Sequence, residues 1–231
     1  MKFDPKKTIF LIDGSSFLYR AYYGMRPLHT SKGIPVHAVY SFVRMIKKLM
    51  DRFKPEYMAV VWDSKGPTTR HEVYDQYKAT RQAPPSDLFD QKEKIVEFAD
   101  LVGLLQAEQP GYEADDILYS IAKEQVEEDP DTHVVLVTSD KDMGQMLTNA
   151  NVSLFDAFKD QILNAQSFEE KMGFPPERLP FYFALLGDSS DNIPGVRGIG
   201  KKTAQDLVNQ FESLEDLYMR IDQVEKPRVK N

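Results

Sequence analysis

The apolar positions of the chain follow two different periods. Three short runs of mostly β-branched apolar residues, at positions 8–12, 58–62 and 133–138, are typical of buried strands in a parallel sheet. Between them, apolar residues recur with a helical period of about 3.6 residues, from Val39 to Phe53 and from Leu88 to Val102. Strands that alternate with helices predict an α/β fold, with a mostly parallel sheet that is covered by helices on both faces.

Acidic residues follow each predicted strand. Asp13 follows the first strand, Asp63 follows the second, and Asp140 and Asp142 follow the third. Ligands of such sheets bind beyond the carboxyl ends of the strands, so we expect these carboxylates to meet at one edge. A single aspartate at such a position is more often a turn residue or a helix cap. Its occurrence after all three strands favours a functional site.

Two further acidic groups lie outside these strands. In GYEADDIL, Glu113, Asp115 and Asp116 stand at the start of a predicted helix, where the helix dipole explains one acid better than three. At about 100° per residue, Asp115 and Asp116 point in different directions, so a shared role puts one of them further from the site. In LLGDSSDNIPG, Asp188 and Asp191 can face the same way, and an Asx-rich loop is the competing interpretation.

Composition narrows the chemistry of these nine carboxylates. The chain of 231 residues is 42% hydrophobic, as expected for a folded domain, and it has no cysteine. Crowded carboxylates need counter-charge, and a set of oxygen ligands favours Mg²⁺ or Mn²⁺ over zinc. Two such ions roughly 4 Å apart support phosphodiester hydrolysis. The formal net charge is −7, so the chain without its nine clustered acids is mildly basic and could bind nucleic acid.

A basic segment at positions 68–85, TTRHEVYDQYKATRQAPP, follows the second strand. Its helical spacing predicts one helix whose cationic and aromatic residues suit phosphates and unstacked bases, with a solvated amphipathic helix as the alternative. The prolines at 84–85 would end this helix and Ser86 would cap the next, so that two helices form an arch over the site at about 68–95. The side chains concerned are Arg70, Tyr74, Tyr77, Lys78 and Arg81.

A glycine-rich stretch, GVRGIGKK at positions 195–202, nearly matches the P-loop pattern G-x-x-x-x-G-K-[ST]. The match fails because Lys202 stands where Ser or Thr is required, and because no buried strand leads into the stretch. A glycine hairpin between two helices fits better, with backbone N–H groups and the start of a helix at 201–211 binding a DNA phosphate. The predicted DNA contacts here are Gly195, Gly198, Gly200, Lys201, Lys202 and Thr203.

The chain resembles the 5′-nuclease (flap endonuclease) superfamily, and most closely the N-terminal 5′→3′ exonuclease domain of bacterial DNA polymerase I. The matching segments are LIDGSSFLYRAYY, GIPVHAVYSF, VVWDSKGPTTRHEVYDQYKATR, PGYEADDILYSIA, VTSDKDMGQML and GDSSDNIPGVRGIGKKTA. The resemblance implies a PIN-like (resolvase-like) nuclease core with a helical arch, expected at 1–175. It also implies a helix-hairpin-helix subdomain that holds duplex DNA, expected at 176–231.

The resemblance also implies roles for individual residues. Arg20, Lys78 and Arg81 correspond to the basic residues that engage the scissile phosphate. Asp116 and Asp188 correspond to the edge of the family's metal site. Its inner shell corresponds to Asp13, Asp63, Glu113, Asp115, Asp140, Asp142 and Asp191. A K⁺ ion held by the hairpin is implied as well.

Similar enzymes remove 5′ flaps and RNA primers during DNA replication and repair. The expected partners are therefore DNA with a 5′ flap, nick or branched junction, RNA–DNA hybrids, and a polymerase domain in the same native polypeptide. Because the family domain continues through further helices beyond VEKPRVKN, we expect the C-terminal subdomain to be truncated.

Other interpretations remain open at this point. A stand-alone flap endonuclease is the main alternative, and a non-catalytic DNA-binding module is less favoured because no acid is missing. A phosphatase with an aspartate nucleophile is disfavoured, because its second aspartate would stand at position 15, which is Ser15. The sequence has neither an apolar run of about 18 residues nor a signal-peptide pattern, so we expect a cytoplasmic, nucleoid-associated protein without a membrane partner.

Overall fold

The chain folds around a six-stranded sheet. The computed structural model describes residues 3–224. The first five strands are parallel, and the sixth is antiparallel to its neighbour at one edge. In chain order the strands are β1 (Thr8–Asp13), β2 (Tyr57–Val61), β3 (Leu105–Ala107), β4 (His133–Val137), β5 (Val152–Asp156) and β6 (Gln161–Leu163).

The order of the strands in space, β3-β2-β1-β4-β5-β6, creates a crevice. From β1 the chain first adds strands on one side and later, from β4, on the other side. In an open α/β sheet, ligands bind beyond the carboxyl ends of the strands where the winding reverses. Asp13, at the end of β1, and residues 138–142, which follow β4, lie at this position.

Helices cover both faces of the sheet, because the buried side chains of the strands alternate between two apolar clusters. One face packs against the first, second and fourth helices, and the other packs against the fifth helix and the C-terminal helices. Within residues 3–224 the α-helices are α1 (Gly14–Gly24), α2 (His37–Phe53), α3 (Thr69–Val73), α4 (Ser86–Leu101), α5 (Ala114–Glu128), α6 (Ala165–Met172), α7 (Leu179–Leu186), α8 (Lys201–Gln210) and α9 (Leu214–Met219).

A small two-stranded sheet follows α7. Its strands, β7 (Gly187–Asp188) and β8 (Ile193–Pro194), are antiparallel and project the loop 189–192 between them. After β8 the chain turns tightly into α8. A Cβ atom on Gly195 would lie 2.2 Å from the backbone oxygen of Leu186, so only glycine fits there. The predicted glycine hairpin between two helices is therefore present, between α7 and α8.

The predicted fold class is confirmed, and the three predicted strands agree with β1, β2 and β4 to within one residue at each end. No helix in residues 3–224 is long and apolar enough to cross a membrane. The predicted C-terminal truncation concerns the end of the chain, where residues 225–231 lie outside the described residues.

The single helix predicted from Arg70 to Arg81 is wrong. The helix α3 ends at Val73, and residues 74–85 form hydrogen-bonded turns but no helix. Lys78 has a φ of 56°, in the left-handed region, which a right-handed helix does not contain. The next helix, α4, does not stand free over the site either, because it packs on the sheet through buried residues such as Ile95.

Candidate active site

The side chain of Asp13 has both a structural role and a position in the crevice. Its Oδ1 caps α1 by accepting a hydrogen bond from the Ser16 N–H at 2.8 Å, and its Oδ2 accepts one from the Thr138 hydroxyl at 2.9 Å. Burial, together with the nearby charges of Asp63 and Asp140, raises the pKa of Asp13 to about 7. The cap predicted as the alternative for a strand-end aspartate is therefore real, and it coexists with crowding by other acids.

The acids after β2 and β4 also accept backbone hydrogen bonds. Asp63 Oδ1 accepts from the Ala114 N–H at 2.8 Å, which joins the end of β2 to the first turn of α5. Asp140 Oδ1 accepts from the Asp142 N–H at 2.9 Å. The backbone thus fixes the positions of these carboxylates at the carboxyl edge of the sheet.

Asp142 has an unsatisfied buried oxygen. Its Oδ1 has no hydrogen-bond partner among the described residues. Burial first, and then the charge of Asp140, raises the pKa of the Asp142 carboxyl to about 7. Asp142 also lines a cavity of about 310 Å³ with Asp188, at the end of β7, and Asp191, in loop 189–192. A bound cation would satisfy the orphaned oxygen and reduce the repulsion.

The three acids of GYEADDIL take different positions at the start of α5. Glu113 lies just before the helix, as predicted, and its backbone N–H donates to Asp116 Oδ2 at 3.0 Å in a capping box. Burial and the charges of the neighbouring acids raise the pKa of Asp115 to about 6, although Arg70 opposes the shift. Burial disfavours the charge of Asp116 as well, but hydrogen bonds from Arg70 and the Glu113 N–H lower its pKa overall.

Four basic side chains form ion pairs with acids of the site. Arg70 donates to both oxygens of Asp116, at 2.6 and 2.8 Å, and also approaches Asp115 at 3.4 Å. The remaining pairs are Lys78 with Glu113 at 2.7 Å, Arg81 with Asp191 at 2.5 Å, and Lys141 with Asp188 at 3.1 Å. Much of the counter-charge that the sequence suggested for metal ions is thus supplied here by the chain itself.

The predicted metal-site residues are consequently not arranged as a closed ligand sphere. Within residues 3–224, no group of three acidic or histidine side chains is placed to hold one ion. The donors are nevertheless all carboxylate oxygens, which suit hard divalent cations such as Mg²⁺. Those donors, and the orphaned oxygen of Asp142, fit a divalent ion.

The structure buries Tyr77, one of the predicted DNA contacts. Only 5% of this residue is exposed, and its hydroxyl lies 2.9 Å from Glu113 Oε2 and 3.0 Å from Asp191 Oδ2. The ring is not open for a base to stack on it in this conformation, because the hydroxyl is held between the two carboxylates. Tyr74 is half-buried and donates to the backbone oxygen of Asn192 at 3.3 Å.

Arg20 lies on α1 and pairs with an acid that the sequence analysis missed. Its guanidinium lies 3.2 Å from Asp156 Oδ2 and 4.5 Å from the ring centre of Phe158. Asp156 ends β5, and although burial disfavours its charge, the Lys159 N–H and Arg20 lower its pKa. The signal was present in the sequence, because VSLFD is another apolar run that ends in aspartate.

The hairpin residues lie at the start of α8. Gly200 caps the helix, and Gly198 has a φ of 89°, which favours glycine. Lys201 and Lys202 are exposed in the first helical turn, while Thr203 is half-buried. This region combines exposed lysine side chains with a helix N-terminus, an arrangement that suits binding of a phosphate.

Two family models together match almost the entire chain. The model of the 5′-3′ exonuclease N-terminal resolvase-like domain matches residues 8–173, and that of the 5′-3′ exonuclease C-terminal SAM fold matches residues 174–231. The chain belongs to the 5′-3′ exonuclease family, whose members are nucleases.

Individual relatives differ in length. The chain is 35% identical over 226 residues to a 5′-3′ exonuclease of Aquifex aeolicus (strain VF5), and the match covers 97% of the chain and 77% of that protein. It is 40% identical over 228 residues to the thermostable DNA polymerase I of Thermus thermophilus, covering 99% of the chain. The chain spans only about a quarter of that polymerase, 27% of its length.

Solved structures show the same fold. The 5′-exonuclease of T5, solved with bound zinc ions, superposes with a TM-score of 0.76 at 22% identity, covering 96% of the chain and 82% of that structure. The flap endonuclease-1 of Methanococcus jannaschii superposes with a TM-score of 0.59 at 18% identity, covering 97% and 76%.

Proposed function

We propose that the chain is a divalent-metal-dependent 5′ nuclease that hydrolyses phosphodiester bonds in DNA with a 5′ flap, nick or branched junction. The observation that carries the proposal is the group of carboxylates from separate segments at the carboxyl edge of the sheet, in which Asp142 keeps an unsatisfied buried oxygen. The T5 flap endonuclease, a protein of the same fold, has been crystallised with DNA and metal ions, which supports this choice of substrate.

The carboxylates lie in two neighbouring groups, and Asp140 belongs to both. Around the end of β1, the charges of Asp63 and Asp140 repel the charge of Asp13. Around the 3-10 turn after β4, Asp142 is repelled by Asp140, Asp188 and Asp191. We propose that these groups, with Glu113 and Asp115, hold Mg²⁺ or Mn²⁺, which when bound supplies Lewis-acid activation of water and stabilises charge on the phosphate.

The basic side chains of this site would bind the substrate backbone. Lys78 and Arg81 can exchange a carboxylate partner for a phosphate, because both anions accept the same charged hydrogen bonds. The exposed first turn of α8 would hold the duplex away from the cut, with K⁺ at the hairpin as a finer part of the proposal. A polymerase domain in the native polypeptide belongs to the proposal through the polymerase relatives, and RNA primers belong to it through the family resemblance.

A cleavage assay tests the proposal. A labelled 5′-flap DNA should be cut in the presence of Mg²⁺ and left intact with EDTA, and nicked and single-stranded DNA serve as comparison substrates. Asp140→Ala and Asp115→Ala should each abolish cleavage while DNA binding persists, because they remove negative charge from the site. The control is Asp160→Ala, since Asp160 forms surface ion pairs with Lys48 and Arg52. Cleavage at the normal rate in both site variants would refute the assignment.

The same assay distinguishes a nuclease that acts alone from one that acts together with a polymerase domain. The match over 77% of the Aquifex 5′-3′ exonuclease favours a nuclease that acts without a polymerase domain. If so, the chain alone should cut flap DNA at a rate that added polymerase does not change.

A further inference from the structure

Residues 68–81, here called the cover segment, bind the acids on the α5 side of the site. Glu113, whose side chain is only 9% exposed, accepts hydrogen bonds from the Thr68 hydroxyl at 3.4 Å, the Tyr77 hydroxyl at 2.9 Å and Lys78 Nζ at 2.7 Å. Arg70 lies 3.7 Å from the same carboxylate. The cover segment therefore contacts both oxygens of Glu113 and holds Glu113 Oε2 with two hydrogen bonds.

The cover segment also binds the loop between β7 and β8. Arg81 pairs with Asp191 through its side chain, and the Lys78 N–H donates to the Asp191 backbone oxygen at 2.9 Å. The Asn192 side-chain amide donates to the Gln76 backbone oxygen at 2.7 Å. The segment thus connects the first turn of α5 to an acidic loop that is more than 70 residues away in sequence.

The other contacts of the cover segment are mostly polar: Arg70 pairs with Asp116, the Thr69 N–H donates to the Gly111 backbone oxygen, and the Tyr74 hydroxyl donates to the Asn192 backbone oxygen. The only helix of the segment, α3, has five residues and none of them is buried. Lys78 adopts a left-handed backbone conformation, which is unfavourable for a lysine and persists only where surrounding contacts enforce it. The enforcing contacts are those that Lys78 makes with Glu113 and Asp191.

A divalent ion and the cover segment need the same carboxylate oxygens. Lys78 Nζ occupies one side of Glu113 Oε2, and Arg81 occupies Asp191 Oδ1. An ion that ligates these carboxylates would lie within a few ångströms of an ammonium and a guanidinium, and like charges repel strongly where water is partly excluded. The two kinds of counter-charge therefore compete for these carboxylates.

We propose that the cover segment is released by metal: without a divalent ion Lys78 and Arg81 neutralise Glu113 and Asp191, and binding of the ion displaces both cations. The freed segment then presents Lys78 and Arg81 to the phosphates of an incoming strand. This inference rests on the proposed metal-dependent function. It adds an order of events, in which the metal opens the segment before DNA binds.

Hydrogen exchange on the full chain without DNA tests this order. Peptides that span residues 74–81 should exchange about tenfold faster with saturating Mg²⁺ than with EDTA, a factor that corresponds to roughly 1.4 kcal/mol of local stability. Calorimetric titration of the same sample with Mg²⁺ measures binding independently. Peptides from β4 serve as an internal reference, since that strand is buried at the centre of the sheet.

Two variants sharpen the test. Lys78→Gln should exchange rapidly in this region even with EDTA, and Mg²⁺ should add little, because the main contact with Glu113 is already lost. Lys47→Gln is the matched control, since it removes an exposed ion pair with Asp51 on α2 and should behave as the unmodified chain. If Mg²⁺ binds but exchange at 74–81 stays constant or slows, the release mechanism is refuted and the nuclease proposal stands. If no Mg²⁺ binds without DNA, the release mechanism is refuted, and the cleavage assay decides the nuclease proposal independently.

Discussion

At the scale of single residues, Lys78 illustrates how one side chain can serve two anions. Its ammonium contacts Glu113 here, and the proposed role is to stabilise negative charge that develops on the phosphate. We expect Lys78→Ala to lower kcat by about 10²-fold or more, with only a small change in DNA affinity, because the charge acts mostly in the transition state.

Single-turnover rates and equilibrium binding to the same flap DNA measure the two effects separately for Lys78→Ala. Lys47→Ala, an exposed lysine on α2, is the control for loss of a positive charge. A variant that binds DNA weakly and cuts at the normal rate when saturated would make Lys78 an anchor for DNA.

The acids of the site could be predicted from the sequence, because a buried strand followed by aspartate places the carboxylate at a known edge of the sheet. The side chains that form ion pairs with these acids could not be predicted from the sequence. The pair between Arg70 and Asp116 joins positions 46 residues apart, and no local pattern encodes such a contact. Asp156 was missed because the run before it was not interpreted as a strand, although it has the same form as the others.

At the scale of elements, the glycine hairpin before α8 offers a comparison of two neighbouring positions. Gly195→Ala should disrupt the hairpin, because its Cβ would lie 2.2 Å from the Leu186 backbone oxygen, which cannot move aside easily. A Cβ on Gly200 meets no atom within 4 Å, and loss of glycine at this cap should cost only about 0.5 kcal/mol.

Urea unfolding and binding to duplex DNA check the comparison between these two glycines. We expect Gly195→Ala to lose more than about 2 kcal/mol of the free energy of unfolding and to bind duplex DNA weakly. Equal behaviour of the two alanine variants would show that the hairpin tolerates a rearrangement at Gly195.

The elements that bury apolar side chains were predictable, and the cover segment was not. The strands carry apolar side chains on the face of the sheet against which the apolar faces of α2 and α4 pack. The spacing of Arg70, Tyr74, Lys78 and Arg81 is helical, but it is a pattern of polar side chains with little to bury. A short helix without a packed face is marginal in water, and here ion pairs with the site acids determine the backbone instead.

At the scale of the whole molecule, the crowded acids make stability depend on pH. In the folded metal-free chain the pKa is about 7 for Asp13 and Asp142 and about 6 for Asp115, against 3.8 for an ordinary aspartate. The folded chain therefore binds more protons than the unfolded chain between about pH 4 and 7, and the free energy of unfolding falls as the pH rises through this window. We expect Tm without metal to be lower at pH 8 than at pH 5.

Thermal unfolding with EDTA and with Mg²⁺ at several pH values measures this dependence. Mg²⁺ should raise Tm more at pH 8 than at pH 5, because it binds ionised carboxylates. Asp142→Asn should make the EDTA curve flatter, since it removes one of the shifted groups. A Tm that rises from pH 5 to 8 in EDTA, in the unmodified chain and in Asp142→Asn alike, would contradict this account.

The α/β architecture and the helical C-terminal part were both predictable, because they follow from strand and helix periodicity and from a glycine-rich turn. The packing of the C-terminal helices against the sheet was not predictable. Phe174 and Phe211 belong to the same apolar cluster as Leu118 and Leu136, so the C-terminal helices share one core with the sheet.

Because the core is shared, we expect the chain to fold differently when it is divided into two fragments. The family descriptions divide at residues 173 and 174, yet Phe168 and Phe174 stack edge to face there with ring centres 6.2 Å apart. Expressed separately, fragments 1–173 and 174–231 should each expose apolar surface, since the cluster that contains Leu118 and Phe211 is divided between them. Co-expressed, they should assemble as an obligate pair whose cleavage rate at low concentration rises with the product of the two fragment concentrations.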